Sequence, residues 1–185
     1  MKKESNTLKE KYKKEVIPAM QAKFGYKSIM AIPKIEKVTV NVGIGRALKE
    51  TNQKLIDRIK HDIATITAQK AAPRRAKKSI AGFKTRQGMV VGYQVTLRGK
   101  RMLDFMERLI KIALPRVRDF RGLPESLFDQ NGNLNIGIKE QNIFPEIEFE
   151  SAKDLFGLQI TITTSAKTKE EGVELLKLMG FPIKS

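Results

Sequence analysis

Ile35-Glu36-Lys37-Val38-Thr39-Val40-Asn41-Val42 alternates strictly: Val38, Val40 and Val42 fall on one side of an extended chain, and Lys37, Thr39 and Asn41 on the other. Three more stretches repeat the pattern. In 89–98, Met89, Val91, Tyr93, Val95 and Leu97 oppose Gln94, Thr96 and Arg98; in 133–139, Leu134, Ile136 and Ile138 oppose Asn133, Asn135 and Lys139. In 158–164, Leu158, Ile160 and Ile162 oppose Gln159, Thr161 and Thr163. Period-two patterning of this kind predicts strands buried on one side only, which antiparallel and mixed sheets allow.

Between these strands the apolar spacing turns helical. Thr7-x-x-Glu10 reads as a capping box ahead of Leu8, Tyr12 and Val16, with Pro18 expected to bend or end the helix and Gly25 to close it. A second helix is predicted over 52–66, capped by Thr51 or Asn52, with Leu55, Ile59 and Ile63 in one stripe. A third fits 100–113, stopped by Pro115 and burying Met102, Leu103, Phe105, Met106, Leu109, Ile110 and Ala113; a fourth opens at Thr168-x-x-Glu171 and ends at Gly180. The expected fold class is α+β: a mainly antiparallel sheet with helices packed on one face and the other face open. No repeat or linker divides residues 1–185, so one domain is expected, with an N-terminal helix over about 5–24 and an exposed basic loop over about 70–88.

Charge narrows the function. The chain has 36 Lys and Arg against 20 Asp and Glu, a net of +16, unevenly spread. Residues 1–118 hold 29 basic and nine acidic side chains; residues 119–185 hold seven and 11. A field of that size attracts polyanions. Nucleic acid is favoured over anionic lipid, because no basic amphipathic anchor rich in Trp or Phe occurs. There is no Cys, hence no disulfide or thiolate metal site, and no apolar stretch long enough to span a membrane. A cytoplasmic protein is expected.

Two surfaces carry the nucleic-acid reading. The open sheet face presents Thr39, Asn41, Gln94, Thr96, Arg98, Gln159, Thr161 and Thr163. Short amides and hydroxyls suit 2′-hydroxyls, phosphate oxygens and base edges, and no Phe or Tyr falls in that register for base stacking. The run Lys70 to Arg86 holds Lys70, Arg74, Arg75, Lys77, Lys78, Lys84 and Arg86 and no acid, punctuated by Pro73, Gly82 and Gly88. Such a stretch packs poorly and is expected to be an exposed hairpin or loop that orders against phosphate. A third, acidic stretch holds Glu140, Glu146, Glu148 and Glu150 with no base between Glu140 and Ala152, and reads as a face turned from RNA toward a protein partner.

Catalytic chemistry finds no support. Gly43-x-Gly45 has Leu48 where a third glycine would complete a dinucleotide fingerprint. His61 is the only histidine; with Asp57 four residues earlier it makes two ligands at most, so no metal site, cofactor or catalytic residue is expected.

Longer blocks carry a resemblance: Lys34-Ile-Glu-Lys-Val-Thr-Val-Asn-Val-Gly-Ile-Gly45, Ala76-Lys-Lys-Ser-Ile-Ala-Gly-Phe-Lys84, Val95-Thr-Leu-Arg-Gly99 and Leu114-Pro-Arg-Val-Arg-Asp-Phe-Arg-Gly122. With Gly137-Ile-Lys-Glu-Gln141, Ile143-Phe-Pro-Glu-Ile147 and Ile162-Thr-Thr-Ser-Ala-Lys167, they resemble the universal 5S rRNA-binding family, fifth in the ribosomal large-subunit series, in its bacterial form. The resemblance implies that Asn41, Gln69 and Thr96 contact 5S rRNA, joined on the same face by Thr39, Gln94 and Arg98. It also implies that the loop with Arg74, Arg75, Lys77, Lys78, Ser79, Lys84 and Arg86 reaches tRNA in the peptidyl site. The implied partners are 5S rRNA, 23S rRNA, that tRNA, other 5S-associated large-subunit proteins, and a basic small-subunit head protein at an inter-subunit bridge. Ala68 stands where the family often has glycine, and Ala71-Ala72-Pro73 replaces a Lys-Pro entry to the loop. A stand-alone nucleic-acid chaperone is the rival reading.

Overall fold

The computed structural model describes residues 7–45, 53–83, 85–147 and 155–184. The strands are β1 (Ile35–Gly43), β2 (Ala72–Arg75), β3 (Val90–Leu97), β4 (Leu123–Pro124), β5 (Leu134–Ile138), β6 (Leu158–Thr164) and β7 (Ile183–Lys184). The α-helices are α1 (Leu8–Lys11), α2 (Ile17–Phe24), α3 (Gln53–Thr67), α4 (Gly99–Arg108) and α5 (Lys169–Met179). The chain folds as two compact units: Met1–Lys37, Arg98–Asn135 and Ile162–Ser185 form the first, Val38–Leu97 and Ile136–Thr161 the second.

The second unit is built on a five-stranded sheet of order β2-β3-β1-β6-β5. β1 pairs antiparallel with β3, and β3 with β2. The alternation seen in the sequence is the burial pattern: Val38, Val40, Val42, Tyr93, Val95 and Leu97 are buried, while Thr39, Gln94 and Thr96 are half-buried and Asn41 is exposed. The amphipathic helix α3 packs against β3, burying Leu55, Ile56, Ile59, Ile63 and Ile66. Each such side chain contributes about 1.5–3 kcal/mol by leaving water. Lys60 of α3 reaches back over the Tyr93 ring, 5.6 Å from its centre. The α+β expectation holds, with the sheet antiparallel as expected. The capping positions foreseen for α3, Thr51 and Asn52, lie outside the described residues.

In the first unit a π-turn stands ahead of each helix proline. The N-terminal helix does not stop at Pro18: a π-turn over Tyr12–Val16 joins α1 to α2, which runs on to Phe24 and is closed by Gly25 in the left-handed conformation. Pro18 has no N–H for the Lys14 carbonyl, and just ahead of it the Ile17 N–H donates in the wider i to i+5 pattern to the Tyr12 carbonyl. The same arrangement precedes Pro115, where a π-turn over Leu109–Ala113 follows α4. Of the positions expected to be buried there, Leu103 and Ile110 are half-buried. Thr7 holds the N-cap position of α1, but its side chain makes no capping bond, and Glu10 lies 3.8 Å from Lys14 instead. The capping box of α5 is complete: the Thr168 hydroxyl accepts from the Glu171 N–H, and the Glu171 carboxylate from the Thr168 N–H. β4 and β7 add a short parallel pair that no alternation announced.

Candidate nucleic-acid interface

Register brings the polar residues together. Opposite each other on β1 and β3 stand Thr39 and Thr96, then Asn41 and Gln94, then Gly43 and Gly92. Thr39, Asn41 and Gly43 share one face of β1 by alternation, and Gly92, Gln94 and Thr96 share the corresponding face of β3. The face therefore steps from hydroxyl pair to amide pair to bare backbone. Between Thr39 and Gly43 it carries no charge and no aromatic ring; Lys37, on the same side of β1, stands just outside the paired register.

β2 adds the charge. Its register sets Ala72 beside Gln94 and Arg74 beside Gly92. The Arg74 guanidinium, unobstructed by any side chain on Gly92, donates through Nε to the Gln94 Oε1. Arg74 thus belongs to the sheet face, whereas the sequence reading assigned it to the basic loop. Gln69 joins the same neighbourhood. α3 ends at Thr67, Ala68 turns the chain at a positive φ of 50°, and the Gln69 amide then donates to the Thr96 carbonyl at 3.3 Å. Pro73 fits β2 because an edge strand can do without one ladder donor. Of the six residues expected on this surface, Thr39, Asn41, Gln69, Gln94 and Thr96 meet on β1, β3 and the approach to β2. Arg98 lies one residue past β3, exposed at the N-cap of α4 and in the first unit.

Beyond β2 the basic run forms an arm. A register shift falls between Arg74 and Arg75, and the two legs then stay paired. The Ala76 N–H donates to the Met89 carbonyl at 2.8 Å, and Ile80 bridges Thr85. Arg75, Lys77, Lys78 and Arg86 are exposed along it. Ser79 is used internally, accepting from the Gln87 N–H at 3.0 Å, which ties the legs together. Lys84 lies outside the described residues. The edge strand at the root was missed because Ala72-Pro73-Arg74-Arg75 shows no alternation and contains the residue that most argues against a strand.

The acidic residues do not gather. Glu140 is exposed and accepts from the Asn142 amide at 3.0 Å. Glu146 is half-buried and lines a cleft of about 510 Å³ with Asp57, Arg58, His61, Asp62, Thr65 and Ile147. Glu148 and Glu150 lie outside the described residues. Asp57 is engaged by Lys60 at 2.7 Å, which holds its carboxyl below the usual range, and His61 stands exposed. Among the described residues no group of three or more His, Cys, Asp or Glu could hold a metal ion, and no helix is long and apolar enough to cross a membrane.

A helix-backed sheet with a neutral polar open face and a cationic arm rooted at its edge is the build of a protein that binds structured nucleic acid. The model of ribosomal protein L5 matches residues 28–86, and the model of the C-terminal part of the same ribosomal family matches residues 90–183. The chain is 54% identical over 177 residues to the large ribosomal subunit protein uL5 of Halothermothrix orenii, covering 96% of this chain and 98% of that protein. It is 55% identical over 175 residues to that of Alkaliphilus oremlandii, covering 95% and 97%, and 52% identical over 177 residues to that of Syntrophomonas wolfei, covering 96% and 98%. The chain belongs to the uL5 family of bacterial large-subunit ribosomal proteins. That family is structural, not enzymatic, and resides in the cytoplasmic ribosome.

Proposed function

We propose that this chain is a structural component of the large ribosomal subunit that binds 5S rRNA through the β1–β3 face and helps attach it in the central protuberance, beside 23S rRNA and the other 5S-associated proteins. The whole chain acts as one RNA-binding body, whose basic arm meets tRNA in the peptidyl site. The observation that carries the reading is the cross-strand set Thr39–Thr96, Asn41–Gln94 and Gly43–Gly92, with Gln69 and Arg74 drawn in at its edge. A face of neutral donors and acceptors meets sugar hydroxyls and base edges without desolvating a charge, and Gly43, exposed with open space where a Cβ would stand, admits an RNA backbone closely. The cations sit on the arm, where phosphate neutralisation adds affinity without sequence choice. Family membership supports the same reading. Glu140, exposed in the acidic last third, supports a contact with a basic small-subunit head protein at the inter-subunit bridge, with Glu146, Glu148 and Glu150 in the same stretch.

The test compares binding of the purified chain to 5S rRNA and to an RNA duplex of equal length at about 150 mM salt. A clear preference for 5S rRNA is expected, together with co-sedimentation of the chain with large subunits in extracts. Equal affinity for both RNAs, or a protein found mainly free, would favour the nucleic-acid chaperone and overturn the assignment.

A further inference from the structure

Phe83 is the only Phe or Tyr among the described residues that stands exposed, at 63%, and it sits at the tip of the basic arm. Ile80, half exposed at 50%, stands at the closing bridge of the same tip. The Ile80–Thr85 bridge closes the arm with bonds of 3.0 and 3.2 Å, and a 3-10 turn over Ala81–Phe83 presents the ring. Beside it, a Cβ placed on Gly82 would meet no atom within 4 Å, so a flat partner has open approach. An apolar ring held in water contributes nothing to this chain's own packing, which marks it as a contact for something else. The charge around it identifies that partner. Arg75, Lys77, Lys78 and Arg86 are exposed on the arm, and no acid occurs between Lys70 and Arg86. A polyanion with planar faces fits this tip; a basic or apolar protein groove does not.

We propose that Phe83 stacks on a base of the tRNA met by the arm, one left unstacked at the tRNA surface, while the arm's cations hold the neighbouring phosphates. The inference rests on the reading of the arm given above and assigns it a second mode of recognition. The β1–β3 face reads RNA by hydrogen bonding and has no ring; the arm supplies the stacking that the face lacks. Stacking on an aromatic ring tolerates any base, so this contact fits a partner whose sequence changes while its shape is kept.

The experiment uses ribosomes carrying Phe83→Ala, Phe83→Leu or Phe83→Trp, with Lys77→Ala/Lys78→Ala as a separate variant, and measures tRNA affinity at the peptidyl site. Because Phe83 is exposed, incorporation into subunits, checked by sedimentation, is expected to stay normal. Phe83→Ala and Phe83→Leu should both weaken tRNA binding about 5- to 150-fold, and Phe83→Trp should retain it. If the lysine variant weakens binding and Phe83→Ala does not, the stacking is refuted and the arm reading stands. If neither does, the arm reading falls and the stacking with it. Full binding with leucine would show a merely apolar contact and overturn the proposal. The chain has no Trp, so Phe83→Trp in the free protein is a sole fluorophore. Quenching by tRNA and not by 5S rRNA is expected; quenching by 5S rRNA alone would overturn the assignment to tRNA.

Discussion

Replacing Asn41 by Ala tests whether neutral groups select the RNA. Asn41 is exposed in the middle of the β1–β3 face, across from Gln94, and its side chain has no hydrogen-bond partner within the described protein. The substitution therefore costs the free protein almost nothing, within about 0.5 kcal/mol for a surface position. On the RNA the amide offers one acceptor and two donors, of which about two can face a partner from a flat sheet. At about 0.5–1.5 kcal/mol for each neutral hydrogen bond, the loss is about 1–3 kcal/mol, or roughly 5- to 150-fold in affinity for 5S rRNA. No charge is removed, so the dependence of log affinity on log salt keeps its slope. Filter binding across a salt series measures both quantities, and circular dichroism melting serves as the control for folding. Replacing Lys77 and Lys78 by Ala should have the opposite signature in any RNA complex the arm reaches, flattening the slope by about 0.7–0.9 for each phosphate no longer neutralised. An unchanged affinity for Asn41→Ala, or a loss accompanied by a flatter salt slope, refutes the division of labour between face and arm.

Ala68 holds a φ of 50°, which costs an L-residue about 1–2 kcal/mol. Glycine there relieves that strain and gives back about 0.5–1 kcal/mol through its freer unfolded chain, so Ala68→Gly should raise the melting temperature by about 1–4 °C; a fall would show the strain is absent. Gly92→Ala would set a methyl 2.7 Å from the Val42 carbonyl oxygen, a backbone atom that cannot swing aside. A cost of about 1–3 kcal/mol and a melting temperature lower by about 2–10 °C are expected, and an unchanged melt would contradict the observed register. Burial opposes the charge on Glu171, but the Tyr26 hydroxyl at 2.6 Å and the N–H groups of Lys167 and Thr168 outweigh it and hold the carboxyl below its ordinary value of 4.5. A carboxyl lowered on folding contributes stability above about pH 4.5 and loses it as pH falls through the folded value. Glu171→Gln should flatten urea midpoints measured between pH 3 and pH 6 relative to the unchanged protein, and parallel curves would refute the coupling.

The parts of this molecule that could be read from its sequence are those decided by near neighbours. Val38, Val40 and Val42 sit two residues apart, so their common face follows from the pleat alone, and Thr168 with Glu171 closes a cap within one turn. Gln69 and Arg74 are different. Their places depend on a left-handed turn at Ala68 and on a pairing across about 20 residues, between Ala72 and Gln94, that no local pattern encodes. Pro18 left bending and ending both open, and the helix runs on past it, whereas the helical run ahead of Pro115 closes at Ala113 as expected. In both places a π-turn stands just ahead of the proline, and no local spacing announces it. Thr7-x-x-Glu10 has the right spacing for a box that is not formed, which shows that spacing permits a cap without securing it.

The register shift between Arg74 and Arg75 sits where the sheet ends and the arm begins. A bulge bends and twists its strand, so the arm leaves the sheet in a direction set there. From the Ala76–Met89 pair to the Ile80–Thr85 bridge the legs advance four residues, about 13 Å if extended. Over that span, a difference of roughly 10° in the bend would displace the Ile80–Thr85 bridge by about 2 Å and leave every pair between β1 and β3 in register. The direction of the arm is thereby set separately from the register of the face.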